Sequence, residues 1–140
     1  MTSQPQDQLA LRILQSVQPQ LPQNRSVGIG CIGAGFIMAD CHLVAYRAAG
    51  LNPVAITSPR PQAAAAVAAR HGIERVWPDW RALAADGRVE VIDVAVPPDI
   101  QPGIIEGICG MVERGESRVR GILAQKPLAC DYRSEEHTSE

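Results

Sequence analysis

Short apolar stretches alternate along the chain with longer segments whose apolar residues recur every three or four positions. The short stretches are typical of buried strands and the longer ones of amphipathic helices. The strands are predicted at residues 26–32, 54–57, 75–77, 89–96 and 119–124. The helices are predicted at residues 36–49, 61–70, 80–85 and 100–114. This regular alternation predicts the α/β class, a doubly wound parallel sheet with helices on both faces and right-handed crossovers.

Several predicted helix ends carry residues that commonly start or stop a helix. Pro61 suits the first turn of its helix, and Gly72 suits the position just after the end. Asp79 and Asp99 each precede a predicted helix and are expected to act as N-caps. These signals place the boundaries of the middle and last helices.

The glycines after the first apolar stretch fit two overlapping patterns. Gly28-x-Gly30-x-x-Gly33 is a literal GxGxxG, whereas Gly33-x-Gly35-x-x-Met38 lacks the third glycine. The earlier register would leave the polar pentapeptide Gln-Asn-Arg-Ser-Val as a central strand, and it would start the helix on glycines. The later register keeps an apolar strand and an apolar-periodic helix. The turn is therefore predicted at Gly33-Ala34-Gly35.

This turn has the chemistry of an anion site. Gly33 permits a sharp bend, and Gly35 has no Cβ to obstruct a pyrophosphate. The amides of Phe36 and Ile37 would point at the anion from the helix N-terminus. Met38 stands where a third glycine would pack the helix closely on the strand.

Ligands of doubly wound sheets bind at the carboxyl ends of the strands. Besides the glycine turn, two further groups of residues fall at that edge. They are Ser58-Pro59-Arg60, and Pro97-Pro98 together with Gln125-Lys126-Pro127.

Composition and charge narrow the function. A net charge of −2 without a basic block argues against nucleic-acid binding. No apolar run approaches the ~20 residues of a membrane span, and the N-terminus lacks a signal peptide, so a cytoplasmic protein is expected. The four cysteines have no CxxC spacing; they are predicted to be buried reduced thiols, and no metal site is predicted.

The two ends of the chain differ from its middle. Residues 1–25 are rich in Gln and Pro and are expected to form a mobile or loosely docked arm, with a possible short helix at residues 8–17. Residues 133–140, R-S-E-E-H-T-S-E, match the translated start of a common sequencing adapter, so they are expected to be non-native. On this interpretation residues 26–132 are one domain, and the gene continues past Tyr132.

Three motifs together resemble the nucleotide-binding half of the Gfo/Idh/MocA oxidoreductases. They are G-A-G-F-I-M-A-D-C-H-L after the first strand, Val96-Pro97-Pro98, and L-A-Q-K-P-L at residues 123–128. The last is similar to the family's Glu-Lys-Pro motif, with Gln125 in place of Glu. The resemblance covers residues 26–132 and implies a Rossmann-type domain that binds NAD(P). It also implies a second, substrate-binding α/β domain, which this chain lacks.

The resemblance implies roles for nine residues at the strand ends. Gly33, Gly35, Phe36 and Ile37 would hold the pyrophosphate, Ser58 and Arg60 would meet the adenosine ribose, Pro97 and Pro98 would line the nicotinamide side, and Lys126 would face the nicotinamide ribose and substrate. Simpler interpretations stay open: Arg60 as a surface residue, the two prolines as a strand terminator, and Lys126 as a solvated loop residue. His42 is interpreted as structural rather than catalytic.

The cofactor prediction favours NADP over NAD. NAD sites usually place an acid about 20 residues beyond the glycine turn, for the ribose 2′-hydroxyl. Here Thr57-Ser58-Pro59-Arg60 offers a hydroxyl and a guanidinium, which suit a 2′-phosphate.

The predicted function is hydride transfer between NAD(P) and a hydroxyl or keto carbon of a sugar, a cyclitol or a related small molecule. Lys126 would polarise the substrate oxygen or exchange a proton with it. The full-length protein is expected to be a homo-oligomer, and this chain alone is expected to be inactive. A non-catalytic nucleotide-sensing domain and a SAM-dependent methyltransferase are the alternative predictions.

Overall fold

A computed structural model describes residues 5–130 and contains one five-stranded parallel sheet. The strands are β1 Gly28–Ile32, β2 Asn52–Thr57, β3 Arg75–Trp77, β4 Val91–Val94 and β5 Gly121–Ala124. Their order across the sheet is β3-β2-β1-β4-β5, so β1 is central. The predicted doubly wound, Rossmann-type sheet is confirmed.

Helices connect successive strands, and one further helix precedes β1. They are α1 Pro5–Val17, a π-helical segment Ile37–His42 that continues into α2 Leu43–Ala48, α3 Pro61–His71, α4 Trp80–Ala85 and α5 Gln101–Glu113. The predicted helix at residues 36–49 is therefore present, but its first half is π-helical. Every residue of α1 is exposed, so this N-terminal helix contributes nothing to the core.

Two separate cores cover the two faces of the sheet, because successive strand residues point to opposite sides. In β1, Cys31 belongs to one core and Ile32 to the other. The core that includes Ile32 is built largely on α4 and α5, and its members include Leu83, Ile92, Val94 and Ile108. The core that includes Cys31 is built on the π segment, α2 and α3, and its members include Met38, Leu43, Ile56 and Val67.

The later glycine register is confirmed. Gly28 and Gly30 lie inside β1 and do not form its terminal turn. A Cβ on Gly30 would lie 2.7 Å from Leu83 Cδ2 and 2.8 Å from Val89 Cγ1. Gly30 therefore allows β1 to pack closely against α4 and the segment before β4, and Gly33 begins the turn.

One predicted cap is wrong. Asp79 does cap α4, since its Oδ1 accepts the Ala82 N–H at 2.9 Å. Asp99 does not cap α5, because it lies in a turn and the N-cap residue is Ile100. That turn is closed from the backbone: the carbonyl of Pro97 accepts the N–H groups of Ile100 and Gln101.

The prediction of buried thiols is wrong for three of the four cysteines. Cys31 is completely buried, and all four are free thiols. The exposed ones are Cys41, Cys109 and Cys130. Apolar neighbours in sequence misled the prediction, because Cys41 and Cys109 lie on the outer faces of helical segments.

Within the described residues, none of the helices has the length and apolar character that crossing a membrane would require. Over the same range there is no group of three or more His, Cys, Asp or Glu side chains arranged to hold a metal ion. Residues 133–140, which were predicted to be non-native, lie outside the described part.

Candidate functional site

The turn after β1 is held by backbone hydrogen bonds to both neighbouring strands. Gly33 has φ +112°, a conformation that favours glycine, and its N–H donates to Thr57 O at the end of β2, at 2.9 Å. On the other side, Ala95 N–H donates to Ile32 O at 2.9 Å. A Cβ on Gly33 would overlap the Ala95 carbonyl. The sequence at this position is therefore restricted by conformation and by space.

Gly35 faces open space, in contrast to Gly33. A Cβ built on Gly35 has no atom within 4 Å, so the protein itself does not need a glycine there. The helix begins immediately afterwards, and its first amides have no carbonyl within the helix to bind. Phe36 is 70% exposed and Ile37 39% exposed, so this helix end is open to a ligand. Open space beside exposed amides at a helix N-terminus suits an anion.

Met38 occupies the position of the missing third glycine. Its side chain is completely buried in the core that includes Cys31. The helix is π-helical here, and Leu43 N–H donates to Met38 O. The close packing that a third glycine would give is replaced at this point by a buried thioether.

A cavity of about 400 Å³ opens beside the turn, at the carboxyl ends of the strands. Gly33, Ser58, Arg60 and Pro97 line it, so the structure brings together four of the nine predicted site residues. The other predicted residues do not line this cavity: Gly35, Phe36, Ile37, Pro98 and Lys126. The walls also include residues that were not predicted: Pro78, Asp79, Trp80, Ile100 and Ile104.

Ser58 and Arg60 form the entry to α3. Ser58 is 7% exposed, and its Oγ accepts the backbone N–H of Arg60 at 3.2 Å. The hydroxyl can still donate one hydrogen bond. The Arg60 side chain is exposed, and no carboxylate of residues 5–130 lies within ion-pair distance of its guanidinium. The arrangement places a positive charge without an ion-pair partner among residues 5–130 at the cavity, whose wall also includes the Asp79 carboxylate.

The segment after β4 borders the cavity on its other side. Pro97 lines the cavity, and its carbonyl starts α5 through the two hydrogen bonds described above. Pro98 lies within that turn and is half-buried. Of the two prolines, only Pro97 lines the cavity, and β4 ends at Val94, three residues before it.

Lys126 lies in the loop that follows β5, next to the end of β4. Gln125 N–H donates to Val94 O at 3.0 Å, which fixes the loop to the neighbouring strand. Lys126 N–H donates to Gln125 Oε1 at 2.9 Å, so the residue that replaces the family's Glu still makes a hydrogen bond. The Lys126 side chain is exposed, and the Lys126–Pro127 peptide is cis.

Trp80 is a wall residue that sequence reasoning missed. Its ring packs so closely on α5 that a Cβ on Gly107 would overlap it. The Arg81 guanidinium lies 4.3 Å from the centre of the same ring. Trp80 is partly buried and packs against the core that includes Ile32, and only the tertiary structure shows that this residue also lines the cavity.

His42 belongs to a buried cluster away from the cavity. Asp93 in β4 is 1% exposed, and its Oδ2 lies 2.8 Å from His42 Nδ1. The same oxygen accepts the hydroxyl of Tyr46 at 2.5 Å. Burial, and then the Asp93 hydrogen bond, raise the pKa of Tyr46, and burial together with the Asp93 charge raises the pKa of Cys31. These contacts support the structural role predicted for His42.

Comparison with family models gives one match. The model described as "Oxidoreductase family, NAD-binding Rossmann fold", GFO_IDH_MocA, matches residues 27–137. The match covers most of the chain and includes the glycine turn, the cavity and the Lys126 loop.

Individual relatives agree with the family match. The chain is 32% identical over 114 residues to levoglucosan dehydrogenase of Pseudarthrobacter phenanthrenivorans, an alignment that covers 75% of this chain and 27% of the relative. A structure of levoglucosan dehydrogenase with NADH and levoglucosan superposes with a TM-score of 0.65 and 29% identity, over 79% of this chain and 30% of that one. KijD10, a 3-ketoreductase from Actinomadura kijaniata with TDP-benzene and NADP, gives a TM-score of 0.68 and 26% identity, over 79% and 33%. The chain thus spans about a quarter to a third of the length of these relatives.

Proposed function

The chain belongs to the Gfo/Idh/MocA family of NAD(P)-dependent oxidoreductases, and on that premise we propose that it supplies the cofactor half of a sugar or cyclitol dehydrogenase. The bound nicotinamide would supply hydride chemistry, and the protein would orient it. The observation that carries the proposal is the combination of the family match with an open Gly35 beside exposed helix amides. The relative whose structure contains levoglucosan supports a sugar-like substrate.

The described residues fit a dinucleotide. Gly33, Gly35, Phe36 and Ile37 would hold the pyrophosphate, because the turn presents backbone amides and no side chain at Gly35. The adenosine portion would enter the cavity, where the Trp80 indole offers an apolar wall.

We favour NADP over NAD for this chain. The ribose 2′-phosphate carries a negative charge, and the Arg60 guanidinium has no carboxylate partner among the described residues. Ser58 adds one hydroxyl donor at the same wall. A guanidinium and a hydroxyl recognise a phosphate better than they recognise a neutral ribose.

Lys126 is proposed as the catalytic residue of this half of the enzyme. Its loop follows β5 and is bonded to the end of β4, the strand whose continuation reaches Pro97. An ammonium group at this edge would polarise the substrate oxygen and exchange a proton with it. Pro97 and Pro98 would line the nicotinamide side of the same region.

The remaining parts of the whole protein also stay proposals. We expect residues 26–132 to be one domain and the substrate domain to be encoded beyond them. A homo-oligomer, a cytoplasmic location and a non-native tail at residues 133–140 likewise remain predictions. Sequencing the gene past Tyr132 tests the domain arrangement directly, since a stop codon there in the native gene would contradict it.

The family match affects the two alternative functions differently. It argues against a SAM-dependent methyltransferase, because the matched family is an oxidoreductase family. A nucleotide-sensing domain would use the same turn and cavity, but it would not require Lys126 at the substrate side. A protein extended by its substrate domain separates the two: turnover of a sugar substrate that is lost in Lys126→Ala supports the dehydrogenase, and cofactor binding without turnover supports the sensor.

Cofactor binding can be tested on the chain as it stands. Trp80 lines the cavity, so excitation energy should pass from its indole to a bound reduced nicotinamide cofactor. The Trp77→Phe background leaves Trp80 as the one indole. We expect saturable quenching by NADPH, weaker quenching by NADH, and none in Gly35→Val. A folded protein that binds neither cofactor would contradict the proposal.

A further inference from the structure

Gln101 is a completely buried polar side chain at the start of α5. Its Nε2 donates to Gln125 O at 2.7 Å and to Leu128 O at 3.1 Å. These two carbonyls lie on either side of Lys126 and Pro127. One amide group thus joins the first turn of α5 to both ends of the Lys126 loop.

The orientation of this amide follows from its partners. Two carbonyl oxygens accept hydrogen bonds and cannot donate, so the NH₂ group of Gln101 must face them. Gln101 Oε1 is then buried without a partner among the residues that the structure describes. An unpartnered buried acceptor lowers stability, whereas an apolar side chain of similar size would fill the same space without that cost. An apolar side chain would, however, leave the Gln125 and Leu128 carbonyls without this donor, so what the glutamine provides is its two hydrogen bonds to the Lys126 loop.

The backbone of Gln101 makes a second connection. Its N–H donates to Pro97 O at 3.2 Å, within the segment that lines the cavity. The backbone therefore holds the Pro97 segment, and the side chain holds the Lys126 loop. These are the two segments assigned to the nicotinamide side of the site.

We propose that Gln101 is a positioning residue that fixes the Lys126 loop relative to the Pro97 segment. The inference rests on the proposed role of Lys126, and it adds the group that holds the Lys126 backbone in place. Gln101 acts only through that loop. With the amide removed, the loop would keep its bond from Gln125 to Val94 but would lose the tie at Leu128.

The sequence offers an unusually direct probe, because Lys126 is its only lysine. Protein labelled with ¹⁵N-lysine gives one backbone amide signal, which comes from the middle of the loop. Amide exchange with solvent and the heteronuclear NOE of that signal report how firmly the loop is held. Both are measured for the parent chain, for Gln101→Met and for Gln101→Glu.

Ser117→Ala is the matched control. Ser117 lies just beyond the other end of α5, and its Oγ donates to Ala84 O at 2.6 Å in a part-buried setting. Ser117→Ala therefore also removes a side-chain hydrogen bond to a backbone carbonyl, together with the bond that Val119 N–H donates to the hydroxyl at 3.3 Å, but far from the loop along the helix. A purely structural effect would lower the melting temperature in both variants and leave the Lys126 signal unchanged.

We expect Lys126 amide exchange to accelerate about tenfold in Gln101→Met, the factor for losing a net hydrogen bond, with a lower NOE and no change in Ser117→Ala. If Gln101→Met does not fold, Gln101→Glu is decisive, because it keeps the shape but donates at most one hydrogen bond, and that only when protonated, so at least one of the two carbonyls loses its donor. An unchanged Lys126 signal in the folded variant overturns the proposal, as does an equal change in Ser117→Ala.

Addition of NADPH separates this inference from the proposed function. In the parent chain the Lys126 signal should shift on binding, and in the folded Gln101 variant the shift should be smaller. If NADPH does not bind the parent chain, the proposed function fails while the exchange measurement still decides whether Gln101 holds the loop.

Discussion

Gly35→Val should abolish cofactor binding and leave the fold intact. Gly30→Ala should lower the stability of the fold and leave the cofactor site of the folded protein unchanged. Gly35 has φ outside the left-handed region and no atom within 4 Å of an added Cβ. Gly30 is packed inside β1, where an added Cβ would meet Leu83 and Val89 at 2.7 and 2.8 Å. The two substitutions therefore separate the requirement of the ligand from the requirement of the fold.

The magnitudes follow from these surroundings. A surface change without new contacts alters the free energy of unfolding by about 0.5 kcal/mol or less, and this is the value expected for Gly35→Val. An overpacked core position costs about 1–3 kcal/mol, which is the value expected for Gly30→Ala. A branched side chain at the proposed pyrophosphate position should weaken NADPH binding by at least about 100-fold, or about 2.7 kcal/mol.

Two measurements on the same samples give the answer. Denaturant unfolding reports the free energy of unfolding, and energy transfer from Trp80 to NADPH reports binding. Gly35→Ala adds a single methyl group and should give an intermediate loss of affinity. Gly28 is unsuitable as a neutral control, because an added Cβ would overlap the Arg88 carbonyl.

The reasoning would be refuted by parental affinity in Gly35→Val, which would show that the pyrophosphate does not approach this residue. It would equally be refuted by a loss of more than about 1 kcal/mol of stability in Gly35→Val, because the open space at Gly35 could not account for it.

Three further predictions concern single groups. Arg60→Ala should weaken NADPH binding by about 1–3 kcal/mol and leave NADH binding nearly unchanged in calorimetry; tighter binding of NADH than NADPH by the parent would reverse the cofactor preference. The Arg88 hydrogen bond lowers the pKa of Asp86 from 3.8 to about 2, so its stabilisation is complete above pH 3.8 and is lost as the pH falls towards 2. Asp86→Asn should therefore remove about 1–2 kcal/mol from the pH dependence of the free energy of unfolding in that window. This is less than the whole pKa shift would give, because the Arg88 side chain is 40% exposed and solvent screens the pair. An unchanged acid unfolding profile would contradict this. In thiol titration Cys31 should react only after unfolding, because burial shields it and raises its pKa, and immediate reaction of all four thiols would contradict its burial. The three thiols expected to react in the folded state are Cys41, Cys109 and Cys130.

The sequence predicts the order of elements well where residues with strong conformational preferences mark the ends of helices. Gly72 has a positive φ at the end of α3, and Asp79 accepts the first-turn amide of α4, as expected. Asp99 failed as a cap because the Pro97 carbonyl had already closed the turn, an interaction that no residue preference encodes. The strand predicted at 89–96 is shorter, Val91–Val94, since ladder pairing and not apolar character defines its ends.

The residues of the candidate site also divide into those that could be predicted from the sequence and those that could not. The glycine turn is local in sequence, so its register could be predicted from strand and helix composition. Lys126 came from the family resemblance, because a loop lysine carries no signal of its own. Gln101 and Trp80 were missed, since their partners lie 24 or more residues away. Gln101 did have one signal: it stands three residues before Ile104 and seven before Ile108, on the buried side of α5.

The turn at Gly33 is bonded to β2 through Thr57 and lies beside the bond between Ala95 and Ile32 that closes β1 against β4. The turn therefore lies where the ends of the three central strands meet. A cofactor that binds only the folded chain adds about 2.7 kcal/mol of stability at 100 times its Kd. Because the turn belongs to the middle of the sheet, cofactor binding should protect the protein against global unfolding and proteolytic cleavage. The lifetime of the protein in a cell should therefore increase with the concentration of its dinucleotide.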